Sequence, residues 1–319
     1  KGPTMAVRNP AIPNKYFLPV LIAAISVAFG LFWILTVRAD YVATKHRAET
    51  ECGLVAKRLS DTTAGFFRTY RRIFETVAEV QYVKDMDSSR AEKLLKGLAT
   101  RFPEVANFAA VRRDGRFFAS AEPVDYRKNP GVSHLKFFEE VASGAAFVVM
   151  DPHKGPITGR TVTGAVVPLR DADGAFNGLI GASIDFASLE NQWRDVLKGT
   201  SLSCIVVGRN GTPFFSSGPA FHAGGRIPEE ITAVGSAAAA ATSATIGGVM
   251  HAVRVETVDG TGWKVLVLAP TGLSASRYVA ARPELIVFGL PVFILIGGAF
   301  LLFRRERRIL TVLRDSEEH

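Results

Sequence analysis

Two stretches of this chain contain no charged residue and are long enough to cross a lipid bilayer, residues 17–37 and residues 285–303. A transmembrane helix needs ~20 apolar residues, because each residue adds 1.5 Å. A cleaved signal peptide is the alternative for the first stretch, but the apolar run exceeds the usual ~7–15 residues and no small-residue cleavage site follows it. The sequence therefore predicts two transmembrane helices, and the segment between them must fold on one side of the membrane.

Basic residues beside the spans predict which side that is. Arg304, Arg305, Arg307 and Arg308 directly follow the second stretch, whereas only two arginines lie close before it. Positively charged flanks favour the cytoplasmic side of a membrane. We therefore expect both chain ends in the cytoplasm and residues from about 40 to 283 outside it.

The two ends of the chain are short. Residues 1–4 are interpreted as the remnant of an expression tag, and the rest of residues 1–16 as a cytoplasmic N-terminus. Residues 304–319 read as the start of a charged signalling helix, so we expect an output domain that this chain does not contain. The formal charge of +8 comes partly from the membrane-flanking arginines, and no basic-aromatic patch indicates a nucleic-acid partner.

Cys52 and Cys204 both fall in the predicted exported segment. One disulfide is possible in an oxidising compartment. Two isolated cysteines in a domain of this size do not require one, so two free thiols are favoured over a bridge.

Residues 38–84 follow the first span and read as a long stalk helix. Leu59, Phe66, Ile73 and Val80 recur every seven residues, with no proline in between. Such a stripe predicts packing against the helix's own domain. Sustained heptads can also form a coiled-coil seam, so a parallel homodimer through this helix is a second expectation, and the two are compatible.

Residues 85–186 have the pattern of one α/β module. The expected elements are a helix to residue 99, a hairpin over 105–121, a short helix over 133–143, a strand over 147–150, a loop over 151–156 and a hairpin of strands 160–169 and 176–184. The last hairpin is the clearest, because Asp173-Gly174 joins two runs rich in Val, Ile and Thr. Along 161–166 polar or small residues alternate with apolar ones, which predicts a strand with one packed face and one face toward a cavity.

A second, smaller module is expected over residues 201–270, after a connecting helix at 187–200. Strands are indicated at 201–208, 212–216, 249–258 and 263–268, and the low-complexity stretch 235–248 reads as a weak helix or mobile connector. The fold class is therefore α+β, with a long N-terminal stalk helix and two tandem PAS-like antiparallel-sheet modules flanked by two transmembrane helices.

No catalytic motif is present. The chain lacks a phosphate-binding Walker loop, a G-x-S-x-G elbow, H-E-x-x-H and C-x-x-C. Its histidines never fall at metal-ligand spacing, so we expect neither catalysis by this chain nor a metal or other cofactor. Asp185 ends a central strand, where capping the next helix is favoured over contacting a ligand.

The stalk, the tandem modules and the flanking spans resemble the double Cache (PDC-type) sensing region of bacterial transmembrane receptors. The best-matching segment is ITGRTVTGAVVPLRDADGAFNGLIGASIDF, residues 157–186. The resemblance covers about residues 38–283 and implies a ligand in the membrane-distal module, between the helix that carries Phe137-Phe138 and the central sheet. It also implies a two-pass protein of the bacterial cytoplasmic membrane.

Amino-acid-binding members of that family carry charged groups that this chain replaces. Their arginine position falls on Leu135, their loop tyrosine and aspartate on His153 and Gly155, and their strand aspartate on Ser183. Each charge-assisted contact is worth roughly 1.5–3 kcal/mol, so the resemblance argues against an amino-acid ligand. Lys136, His153 and Arg160 favour a small organic anion, unless these cations are solvated surface charges.

The candidate ligand contacts are Tyr126, Lys136, Phe137, Phe138, His153, Arg160, Thr161, Thr163, Ser183 and Asp185. The predicted function is ligand sensing by a receptor whose cytoplasmic output is a histidine kinase or a cyclic-di-GMP enzyme. Two alternatives are a chemoreceptor and a membrane-tethered structural protein without a ligand. A distal module filled by its own aromatic side chains would favour the last of these.

Overall fold

The computed structural model of this chain describes residues 17–124, 131–155, 157, 159–218, 242–246 and 249–272, with isolated helical residues between 294 and 305. The predicted second span at 285–303 and the candidate ligand residue Tyr126 therefore lie largely or wholly outside the described residues. The chain forms two compact units, residues 47–271 and a unit made of residues 1–46 and 272–319, and each is described by itself.

Helix α1 runs from Phe17 to Ala78 and contains the first predicted span. Within the described residues it is the one helix long and apolar enough to cross a membrane. Its apolar side chains in that part are exposed, with Phe32 at 66% and Leu35 at 62%. Exposed side chains of this kind suit a lipid environment.

The part of α1 beyond residue 46 packs on both sheets with a continuous buried stripe. Its deepest members are Cys52, Ala56, Leu59, Thr63, Phe67, Tyr70 and Phe74. The expected heptad line is shifted, because Phe66, Ile73 and Val80 are only partly buried at the edge of the stripe. Two short helices follow, α2 (Gln81–Lys84) and α3 (Ser88–Ala99), and Asp87 caps α3 by accepting the Arg90 amide at 3.1 Å.

The first sheet has the order β2-β1-β5-β4-β3, and its pairs are antiparallel. Its strands are β1 (Val105–Arg112), β2 (Phe117–Ser120), β3 (Val148–Lys154), β4 (Thr161–Arg170) and β5 (Phe176–Asp185), and the short helix α4 (Lys136–Ala142) precedes β3. The prediction of a loop at 151–156 is wrong for its first part, because β3 continues to Lys154 through a bulge between Met150 and His153. A bulge lets the strand keep pairing while it re-aims its side chains.

Helix α5 (Phe186–Leu197) leads to the second sheet, whose order is β7-β6-β10-β9-β8. Its strands are β6 (Ser203–Val207), β7 (Pro213–Ser216), β8 (Thr242–Ile246), β9 (Val249–Thr257) and β10 (Lys264–Gly272). This order repeats that of the first sheet, so the expected duplication of two antiparallel sheets is confirmed. The stretch 235–248 is expected to be a helix or connector, but residues 242–246 form β8, because Thr242, Thr245 and Ile246 suit a strand and β9 supplies its pairing partner.

One apolar core joins α1, both sheets and α5 within residues 47–271. Trp193 of α5 is fully buried and donates its Nε1–H to the hydroxyl of Thr63 on α1, at 2.9 Å. Cys52 and Cys204 are buried thiols in this core, and Cys52 Sγ–H donates to the Val267 carbonyl at 2.9 Å. Burial raises the pKa of Cys52 to about 11 and raises that of Cys204 further. Helix, sheets and thiols therefore belong to a single packed body.

Candidate functional site

A cavity lies between the outer face of the first sheet and helix α4. Its floor is formed by alternate residues of the two central strands: Asn107, Ala109 and Val111 of β1, and Leu179, Gly181 and Ser183 of β5. The intervening residues Phe108, Ala110, Ile180 and Ile184 belong to the core on the other face. Because strand side chains alternate, the face that packs on the stalk determines which residues can meet a ligand.

Helix α4 and the residues before it cover this floor. Phe137, Leu135 and Val132 line the cavity from above. The neighbouring Phe138 points into a small cluster beside it and packs edge-on against Phe176, with ring centroids 5.6 Å apart. The two phenylalanines therefore have different roles: Phe137 lines the cavity, and Phe138 packs α4 against the sheet.

The remaining wall is the bulged part of β3. Met150 and His153 line the cavity from this side, and Ile157 follows them. His153 Nδ1 lies 2.9 Å from the carbonyl oxygen of Asp151. A carbonyl only accepts, so Nδ1 carries the hydrogen, and Nε2 is the nitrogen left for a ligand.

The cavity is small, with a volume of ≈ 60 Å³. A water needs roughly 10–15 Å³ of such volume, so the space suits about four or five waters or a ligand of a few heavy atoms. Gly181 and Ala109 contribute to it, because they are cross-strand partners with little or no side chain. A cavity of this kind distinguishes the module from one filled by its own side chains.

Polar groups are few and lie near one end of the floor. Asn107 is 2% exposed, donates to Ser120 Oγ at 3.0 Å and accepts the Glu122 amide at 2.9 Å. Its cross-strand partner is Ser183. Among the described residues that line the cavity none is Lys, Arg, Asp or Glu, so the lining is apolar except for Asn107, Ser183 and His153.

The structure brings Phe137, His153 and Ser183 of the expected set to this cavity. Two expected contacts, Thr161 and Thr163, do not line the cavity, which corrects the prediction. Thr161 is exposed, and Thr163 lies on the core-facing side of β4, where its hydroxyl donates to the Met150 carbonyl at 2.7 Å. The alternation along β4 was assigned to the wrong face. Asp185 caps α5 by accepting the Ala187 amide at 3.1 Å, which is the capping role favoured from the sequence.

The two expected cationic contacts lie outside the cavity. Arg160 is exposed. Lys136 is also exposed and lines a wider cleft of ≈ 330 Å³ between α4, β3 and the turn after β6, together with Glu140, Asp151 and Arg209. This cleft adjoins the cavity, because Leu135, Phe137, Met150 and His153 line both. Sequence reasoning missed Asn107, whose signal was a polar residue inside the apolar run of β1. The part of the chain that the structure describes holds no group of three His, Cys, Asp or Glu side chains that could bind a metal ion.

Comparison with known proteins identifies the fold. The extracellular domain of rpHK1S-Z16 shares 15% identity over 70% of this chain and 95% of its own, with a TM-score of 0.59. The ligand-binding domain of the Pseudomonas fluorescens chemoreceptor CtaA, in complex with L-serine, shares 13% identity over 70% of this chain and 98% of its own, with a TM-score of 0.56. For the sensor domain of the V. cholerae histidine kinase DctB the values are 15%, 70% and 98%, with a TM-score of 0.52.

At these identities the likeness concerns the fold, and a search of curated protein sequences gives no significant match. The sequence profile of the Cache domain, of the double type, matches residues 42–276. That range covers both modules and the stalk. The chain therefore belongs to the Cache domain family, whose members are non-catalytic extracytoplasmic sensors of membrane receptors.

Proposed function

We propose that this chain is the ligand-sensing and membrane-anchoring part of a bacterial signalling receptor, and that the cavity beneath α4 binds its ligand. The observation that carries the proposal is a small cavity in the first module of a Cache domain, lined by Phe137, His153 and Ser183. Residues from about 40 to 283 lie outside the cytoplasmic membrane in this proposal. The arginines that follow the second apolar stretch support that orientation.

The ligand that fits is a small molecule with one acceptor-rich head group and a short apolar body. Asn107 and Ser183 can donate hydrogen bonds at one end, while Val111, Val166 and Leu179 are apolar. A short monocarboxylate has this chemistry, and the small volume favours it over a larger acid. Lys136 and Arg160 lie outside the cavity, so the donors that meet the carboxylate are the side chains of Asn107 and Ser183.

An amino-acid ligand is disfavoured by the same lining. CtaA was crystallised with L-serine, so the fold itself accommodates an amino acid. An α-ammonium group, however, needs a carboxylate or several acceptors when it is buried. Among the described cavity residues none is acidic, and the Asp185 carboxylate accepts an amide at the start of α5.

A thermal-shift titration of the 319-residue chain in nanodiscs tests the ligand class. Acetate, propionate and butyrate are compared with 1-propanol and L-alanine. At 100-fold above Kd a ligand stabilises the folded state by about 2.7 kcal/mol, which corresponds to roughly 5–10 °C for a body of this size. We expect a shift with at least one carboxylate, its loss in Ser183→Ala, and its retention in Lys136→Ala.

Two results would contradict this assignment. A shift with L-alanine but none with a carboxylate overturns the ligand class while keeping the site. No shift with any of these small molecules favours a structural role for the module.

The cytoplasmic output is proposed to be a histidine kinase or a cyclic-di-GMP enzyme, with a chemoreceptor as the second candidate. Similar folds occur in the histidine kinase DctB and in the chemoreceptor CtaA, so the likeness supports both. The full-length coding sequence decides between them. Long uninterrupted heptads favour a chemoreceptor, and a globular kinase or cyclase domain favours the first proposal.

A further inference from the structure

Asp151 occupies an unusual place between the cavity and the second module. It lies in the bulge of β3, between the cavity-lining residues Met150 and His153. Its carbonyl oxygen holds the ring of His153, while its carboxylate points away from the cavity toward the second module. A shift of β3 at the cavity therefore also moves the Asp151 carboxylate, which is bonded to the second module.

The Asp151 carboxylate is held by two groups of the second module. Its Oδ1 accepts the Nε1–H of Trp263 at 2.7 Å and the amide of Arg209 at 3.3 Å. Its Oδ2 lies against Gly208, where a Cβ would be only 2.6 Å away. A residue with a side chain at 208 would displace the carboxylate, so this close approach requires glycine.

Helix α4, the opposite wall, is tied to the same turn. Glu140 Oε2 accepts from Arg209 Nη1 at 2.7 Å. Glu140 is three residues after the cavity-lining Phe137, on the same side of the helix. The two walls of the cavity, α4 and β3, thus each send one carboxylate to Arg209 or its neighbours.

Trp263 links the Asp151 carboxylate to the hydrophobic core. It is 0% exposed, and its ring packs edge-on against Phe67 of α1 at 5.2 Å and against Phe214 at 4.8 Å. It also directly precedes β10, the last of the described strands. Asp151 therefore contacts the residue at which the stalk and the last strand meet.

We propose that Asp151 and Glu140 transmit occupancy of the cavity to Trp263, and through it to α1 and β10. This inference rests on the proposed ligand site. A ligand that separates α4 from β3 pulls two carboxylates that converge on one turn, so the turn and Trp263 must follow. Charge-assisted hydrogen bonds are shorter and stronger than neutral ones, so the contacts of Asp151 and Glu140 couple both walls to this turn.

The test uses a built-in occupant in place of the unidentified ligand, so it does not depend on the ligand class. Ala109→Ile fills the cavity with a residue that suits a strand, and Gly181 opposite leaves room for it. Hydrogen exchange of the full chain in nanodiscs is compared for wild type, Ala109→Ile, Asp151→Ala and the double variant. We expect Ala109→Ile to change exchange over residues 264–272 several-fold, and the double variant to show no such change relative to Asp151→Ala.

Asp171→Ala is the matched control, because its carboxylate also accepts two amides but in an exposed hairpin turn. Trp263→Phe keeps an aromatic ring but removes the hydrogen-bond donor, so it replaces Asp151→Ala if that variant fails to fold. Ala109→Val likewise replaces Ala109→Ile if the isoleucine variant fails to fold. An equal change over 264–272 with and without Asp151, or with and without the Trp263 N–H, overturns the inference. A response over 264–272 to the filled cavity but to none of the small molecules overturns the ligand class and leaves the link intact.

Discussion

The indole of Trp193 and the hydroxyl of Thr63 form a buried hydrogen bond that joins α5 to the stalk helix. Thr63 Oγ1 accepts Trp193 Nε1–H at 2.9 Å and donates to the Leu59 carbonyl at 2.7 Å. Both residues are 0% exposed, so neither group can turn to water when its partner is lost. A buried polar group without its partner costs about 1–3 kcal/mol.

Trp193→Phe removes this donor and some ring volume. We expect the free energy of unfolding to fall by about 2–4 kcal/mol, the sum of a lost hydrogen bond and a partly filled cavity. Urea unfolding followed by circular dichroism measures the change. An unchanged stability of Trp193→Phe would show that the hydrogen bond to Thr63 contributes nothing.

The buried thiols predict a pH dependence. The pKa of Cys52 is raised from 9.0 to about 11 because burial disfavours the thiolate. A raised folded-state pKa means that the stabilisation is fully present below pH 9 and is lost as pH rises toward 11. The loss reaches about 2–3 kcal/mol for this one group.

Cys52→Ala isolates this term from other groups that titrate in the same range. We expect the difference in unfolding free energy between wild type and Cys52→Ala to shrink between pH 9 and pH 11. Chemical denaturation at a series of pH values measures it. A difference that stays constant with pH would show that Cys52 ionises in the folded state as readily as in the unfolded chain.

At the scale of elements, the central strand β5 has no room for a side chain at its midpoint. A Cβ at Gly181 would overlap the Ala165 carbonyl oxygen and lie 2.6 Å from Val166 Cγ1. Both atoms belong to the neighbouring strand β4, which cannot retreat without losing its pairing. The glycine therefore permits close strand packing and an open cavity floor together.

Gly181→Ala should destabilise the first sheet by about 1–3 kcal/mol, the usual cost of overpacking. Gly97→Ala is the control, because Gly97 lies exposed in α3 with nothing within 4 Å of a built Cβ. There alanine should be neutral or stabilise by up to about 1 kcal/mol. Equal effects of the two substitutions on the urea midpoint would contradict the strand-packing account.

At the scale of the whole molecule, residues 47–271 share one core. The buried cluster includes Phe67 of the stalk, Phe108 and Ile184 of the first sheet, and Trp263 and Val265 of the second. Two modules that share a helix and a core cannot separate without exposing it. This is the condition for all-or-none unfolding.

We expect both modules to unfold in a single transition. Hydrogen exchange in increasing urea should give β1 of the first sheet and β6 of the second the same unfolding free energy. Trp263→Ala should separate the two, because it removes the residue at their junction. Two transitions in the wild type would show that the modules are independent despite the shared core.

Much of the architecture follows from local features of the sequence. Helix α1 follows from an apolar run and a seven-residue stripe without proline, and the hairpin of β4 and β5 follows from Asp173-Gly174 between β-rich runs. The repeated strand order was also visible as a repeated order of turns. Propensity, periodicity and turn chemistry are local properties, so they can be interpreted without knowing what packs against them.

The face of each strand that lines the cavity depends on tertiary contacts, which local patterns do not specify. Period-two alternation offers two faces, and the position of the stalk turned Thr163 toward the core and Asn107 toward the cavity. The role of Asp151 likewise depends on Trp263, 112 residues later in the chain. Local patterns specify which elements form, whereas contacts between distant residues determine which of their side chains meet a ligand or each other.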